Sequence, residues 1–126
     1  MIHDKDFMMR QIKQFSEFIA AMLLGKNEGK PQEVLLVFET HMKNVFKMSF
    51  EELSVKSFEE IESLISGKED TQKAVSYELL GHLFYFKFKE TGDTDLGEKS
   101  KYFYNLWQKK SKIFSMDVIK RLEELQ

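Results

Sequence analysis

A chain of 126 residues, 42% hydrophobic and 32% charged, has the make-up of one globular domain with one sizeable core. It has no cysteine, which excludes disulfide scaffolds, iron–sulfur clusters, cysteine-based zinc sites and thiol nucleophiles. Its net charge of −2 supplies no global basic field to recruit nucleic acid or a membrane.

The chain opens Met1-Ile2-His3-Asp4-Lys5-Asp6, which is polar and of mixed charge, unlike a secretion signal. The longest apolar run, residues 18–24, is far short of the ~18 residues a membrane span requires. The expectation is a single all-helical domain over residues 1–126, cytoplasmic and without a membrane partner.

The first predicted helix, about residues 5–24, carries Met8, Ile12, Phe15, Ile19, Met22 and Leu23 as one apolar stripe at helical period. Phe7 and Phe18 flank that stripe. Gly25 and Gly29 then punctuate the chain, and Pro31 suits the first turn of a second helix, where its missing N–H costs nothing. That helix, about 31–48, repeats the pattern with Val34, Leu35, Phe38, Met42, Val45 and Phe46.

Two capping boxes follow, Ser49-Phe50-Glu51-Glu52 and Ser57-Phe58-Glu59-Glu60. Each pairs a cap hydroxyl with a carboxylate three residues on, which predicts two short helices. The second should turn Phe58, Ile61, Leu64 and Ile65 inward. Gly67 and Gly92, with Gly25 and Gly29, are read as helix ends needing positive φ.

The fourth helix, about 71–90, differs in kind. Tyr77, Leu79, Leu80, Leu83, Phe84, Tyr85, Phe86 and Phe88 leave little polar face in its middle, which predicts a helix packed on several sides. A fifth helix is expected from Asp95, with Glu98 completing a box, presenting Leu96, Phe103, Leu106, Trp107, Ile113 and Phe114. The last begins after Ser115 and buries Val118, Ile119, Leu122 and Leu125. The fold expected is all-α: two antiparallel hairpins with a short-helix connector, five to six helices in all.

Gly81 and Gly97 fall inside helical patterns, where each costs about 1 kcal/mol relative to Ala, so each should mark a close helix–helix approach. For Gly81 the second helix of the same hairpin, around Phe103 and Trp107, is the expected neighbour. Gly81→Leu should then overpack, and Gly81→Ala should be tolerated.

Gly29-Lys30-Pro31-Gln32-Glu33-Val34 followed by Phe38 resembles the turn and second helix of a tetratricopeptide repeat, with Val34 where that family prefers Ala. Tyr77, Leu80, Gly81 and Phe84 are similar to a repeat's first helix, and Gly92-Asp93 with Gly97 to its turn and small packing residue. Lys101 occupies the place of an aromatic there. Over the whole chain, Asp6-Phe7-Met8-Met9-Arg10-Gln11-Ile12, the Leu24-Gly25 helix end and Gly29-Lys30 resemble a group of small bacterial helical proteins of unknown function. That resemblance implies a fold and brings no catalytic residue.

The chemistry-bearing residues are few. His3 lies near the start; His41 sits on or beside the apolar face of the second helix; His82 interrupts the apolar run of the fourth. Glu78 and His82, one turn apart, put a carboxylate and an imidazole on one side of the helix. A di-iron bundle needs two Glu-x-x-His pairs and two further Glu, so no metal and no cofactor is expected. Glu51-Glu52, Glu59-Glu60 and Glu123-Glu124 read as solvated pairs. No nucleophile elbow, phosphate loop or dinucleotide fingerprint occurs, and no catalytic residue is assigned.

Twelve Phe, four Tyr, one Trp and seven Met exceed what a small core asks for. Phe18, Phe86 and Tyr102, off the main stripes, are the expected partner-binding surface. The reading is a non-catalytic tetratricopeptide-like module for a protein or peptide partner, or for a second copy as a homodimer. The alternative is an accessory nucleic-acid-binding protein that holds phosphates with Lys109, Lys110 and Lys112 beside Tyr102, Tyr104 and Trp107.

Overall fold

The structure is a computed structural model that describes residues 2–26 and 29–126, with side chains from Asp6 onward. His3 therefore lies outside the described side chains. Among the described residues there are seven helices and no strand. The chain divides into two compact units, Met1–Gly67 and Lys68–Gln126.

The first unit holds α1 (Ile2–Leu23), α2 (Pro31–Phe46), α3 (Phe50–Ser54) and α4 (Phe58–Ile65). Helices α1 and α2 form a hairpin around Phe15, which is fully buried and meets the edges of Phe38 and Phe46 at 5.7 and 6.3 Å. Ile12 and Ile19 complete the buried stripe of α1, and Met42 that of α2. Both capping boxes form: Ser49 and Ser57 accept from the backbone N–H of Glu52 and Glu60, whose carboxylates accept from the cap N–H in return. Hydroxyl and carboxylate thereby satisfy helix N–H groups that have no partner within the turn.

The stripes are narrower than the sequence suggests. Met8 and Leu35 are exposed, as is Leu64 in α4. Helix α2 ends at Lys47, a left-handed residue with φ 63°, so Met48 falls outside it. Gly67 has no positive φ; α4 closes on Ser66 in the right-handed conformation.

The second unit holds α5 (Asp70–Thr91), α6 (Thr94–Ser111) and α7 (Met116–Glu124). Helix α5 buries an unbroken run from Leu79 to Tyr85, as its apolar middle predicts. Gly92 turns the chain at φ 74°, where a side chain would be strained, and α6 returns antiparallel. Helix α6 starts at Thr94, one residue before the expected Asp95. Its cap is Asp93, whose carboxylate accepts from Asp95 N–H at 2.9 Å, because the Gly92 turn already delivers Asp93 to that position.

The hairpin interlocks through its two internal glycines. Gly81 on α5 receives the ring of Tyr104 from α6; seven residues further along α5, Phe88 fills the place left by Gly97. The neighbour of Gly81 is thus Tyr104, next to the expected Phe103. A Cβ at Gly81 would stand 2.6 Å from Tyr104 Cε1, a clash that argues against the expected tolerance of Gly81→Ala. Ser100 adds a hydrogen bond to the Gly81 carbonyl at 2.8 Å. Phe103 stacks on Phe84, and Trp107 is buried. Ile113 and Phe114 leave the core: α6 ends on left-handed Lys112, and both side chains are exposed in the link to α7.

Candidate functional site

Two places concentrate polar chemistry, one in each unit. In the second unit, His82 of α5, Tyr104 of α6 and Arg121 of α7 meet. The His82 Nδ1 to Tyr104 hydroxyl distance is 2.7 Å, and Arg121 Nη1 lies 3.1 Å from that hydroxyl and 3.3 Å from Nδ1. A guanidinium can only donate, so the hydroxyl accepts from Arg121 and gives its own proton to Nδ1. The imidazole proton then sits on Nε2, 3.9 Å from Glu78 Oε2.

Burial, with Arg121 beside it, pushes the His82 pKa down to about 3, which keeps the ring neutral at physiological pH. Burial likewise raises Tyr104 and Glu78. The network extends one helical turn further. Tyr85 donates to Glu124 at 2.7 Å; Lys89 donates to the other carboxylate oxygen, also at 2.7 Å; and the Arg121 guanidinium lies 5.2 Å from the Tyr85 ring centroid. Burial and the Glu124 hydrogen bond push Tyr85 up to about 12, so it remains a donor. These groups spend their hydrogen bonds on one another. What the arrangement does is fasten α7 across the α5–α6 hairpin.

In the first unit, a cleft of about 250 Å³ opens between α1 and α2, lined by Gln11, Gln14, Leu36, Val37, Thr40, His41 and Asn44. His41 stacks on Phe15, 5.0 Å between centroids and 11° from parallel, and partial burial lowers its pKa. Phe18 packs beside it at 5.2 Å. Leu36 and Val37 stand exposed at the mouth, with Leu35 exposed next to them. Three carboxamides, an imidazole and a hydroxyl therefore converge with apolar side chains in one concave place.

The expected partner-binding residues fall in both units. Phe18, Phe86 and Tyr102 are all half-buried; Tyr102 meets the Phe103 ring edge at 5.1 Å, and Lys87 sits over Phe86. Of the three, Phe18 adjoins the cleft through His41. Lys109, Lys110 and Lys112 are exposed, but Lys110 pairs with Asp70 at 3.0 Å, and the aromatics expected to stack a base beside them, Tyr104 and Trp107, are internal. Among the described residues no group of three or more histidine or acidic side chains could hold a metal ion.

The spacing of Glu78 and His82 signalled their pairing, whereas nothing local signalled Arg121, 39 positions from His82. The cleft was signalled only by Leu35, Leu36 and Val37, three consecutive apolar residues that one helix face cannot bury together.

Comparison with known protein families places residues 2–102 in DUF6483, described as a family of unknown function. The chain belongs to DUF6483. No curated protein and no solved structure matches it. The DUF6483 span contains the α1–α2 cleft and the Gly81, His82 and Glu78 face of α5, and it ends before Tyr104 and α7. No helix of the described DUF6483 chain is long and apolar enough to cross a membrane.

Proposed function

We propose that this DUF6483 protein is a non-catalytic interaction module, built of tetratricopeptide-like hairpins, whose α1–α2 cleft takes an extended segment of a partner protein. The observation that supports it is the lining of that cleft: Gln11, Gln14 and Asn44 beside exposed Leu36 and Val37. A carboxamide carries a donor and an acceptor at the spacing of a peptide bond, so it can pair with main-chain N–H and C=O whatever the side chains are. Leu36 and Val37 supply the apolar contact that a bound side chain would cover. Phe15, stacked beneath His41, gives the floor a fixed shape, which keeps the entropic cost of binding low.

The test is selection of extended peptides from a displayed random library against the intact protein. Selected peptides should bind Leu36→Asp at least about tenfold more weakly, while its melting temperature stays near the parent's because Leu36 is exposed. Peptides that bind the variant and the parent equally would overturn the assignment.

A further inference from the structure

Helix α7 is attached in an unusual manner. Val118 is its one fully buried side chain; Ile119, Leu122 and Leu125 are half-buried, and polar pairs add Arg121 to Tyr104 and His82 and Glu124 to Tyr85 and Lys89. The link that folds α7 back onto its own hairpin is residues 112–115, with neither Gly nor Pro. It turns at Lys112, held at φ 58°, a left-handed conformation that costs a residue with a side chain roughly 1–2 kcal/mol. Around that turn the apolar side chains face water: Ile113 is 56% exposed, Phe114 74% and Met116 55%.

We propose that this chain forms a dimer by exchanging α7, each copy giving its Arg121 to His82 and Tyr104 of the other and its Glu124 to the other's Tyr85 and Lys89. If Lys112 leaves its left-handed conformation and the link through extended Ser115 becomes helical, α6, the link and α7 form one continuous helix of about 45 Å at 1.5 Å per residue. Helix α7 then points away from its own hairpin and meets the same docking face on a second copy. Every contact of α7 with α5 and α6 is reproduced between two chains, while the Ser115 cap on Val118 N–H gives way to a helical backbone hydrogen bond. The exchange also releases the Lys112 turn and brings Ile113 and Met116, one helical turn apart, against their counterparts where the two long helices cross. The proposal is independent of the cleft between α1 and α2.

The Lys89–Glu124 pair makes the exchange measurable, since amine and carboxylate lie 2.7 Å apart and a zero-length carbodiimide coupling joins them. Light and 15N-labelled chains are unfolded together, refolded at high concentration, separated by size and coupled. Exchange predicts a dimer in which about half of the Lys89–Glu124 products join a light to a heavy peptide, as random pairing requires. Lys112→Gly, which removes the strain at the turn, should raise the dimer dissociation constant about tenfold or more. A chain that stays monomeric at high concentration would overturn the proposal. So would a dimer whose Lys89–Glu124 products are all of one isotope, or a Lys112→Gly protein that dimerises as well as the parent.

Discussion

Gly81 of α5 and Tyr104 of α6 occupy one space: a methyl group on Gly81 would stand 2.6 Å from Cε1 and 2.8 Å from Cγ of the tyrosine ring. Tyr104 cannot withdraw, because it is fully buried and its hydroxyl is held by His82 and Arg121. Replacing Gly81 by Ala should therefore destabilise by about 1–3 kcal/mol, and Gly81→Leu by more, despite the ~1 kcal/mol that helix propensity offers each. Urea melts of the two variants test this. An Ala variant more stable than the parent would mean that α6 does not approach α5 as closely as described.

The neutral state of His82 makes stability depend on pH. Its folded pKa, about 3, lies below the 6.5 of the free side chain, so the unfolded chain binds the extra proton first. The contribution is complete above pH 6.5, falls as pH drops below it and is gone near pH 3, a loss on the order of 5 kcal/mol. Glu78 acts in the opposite direction, since burial raises its pKa and protonation relieves its charge. Urea midpoints between pH 7 and pH 4 should fall more steeply for the parent than for His82→Gln. Equal slopes would show that His82 is not held neutral in the fold.

Much of this architecture could be read locally, and the exceptions have local causes. Ser49 and Ser57 announce their helices because a capping box lies within four residues. Gly81 announces a close approach because Gly inside a helix is unfavourable without one. The turns at Lys47 and Lys112 carry no such mark, since a left-handed residue is usually Gly and the strain at a lysine is borne by surrounding structure. Asp95 was a plausible cap, but Gly92 sets the turn so that Asp93 arrives first. The polar cluster was half legible: Glu78 and His82 share one helix face, whereas Arg121 arrives from a third helix and leaves no trace in spacing.

The two capping boxes should contribute separately. Ser57→Ala leaves Glu60 N–H without its acceptor, and Ser49→Ala does the same to Glu52. Each should cost about 1 kcal/mol in a urea melt. Losses close to zero would mean that packing of Ile61 and Ile65, or of Leu53, fixes these helices without help from their caps.

Lys47 offers the converse test. Its left-handed conformation closes α2 with the N–H bonded to the Lys43 carbonyl, a geometry that Gly adopts without a side-chain clash. Lys47→Gly should raise stability by about 1 kcal/mol, less the extra chain entropy Gly releases on unfolding. A clear loss would indicate that the lysine side chain, which also bonds the Asn44 carbonyl, matters more than the backbone strain.

The most direct measurement of the proposed function is a 15N–1H spectrum of the protein titrated with a peptide selected against it. The side-chain NH2 signals of Gln11, Gln14 and Asn44 should move together with the backbone signals of Leu36 and Val37, because these groups line the cleft. The Tyr85, Tyr104 and Arg121 backbone signals should stay in place. Shifts confined to residues 68–126, with those three carboxamides unmoved, would contradict binding in the α1–α2 cleft.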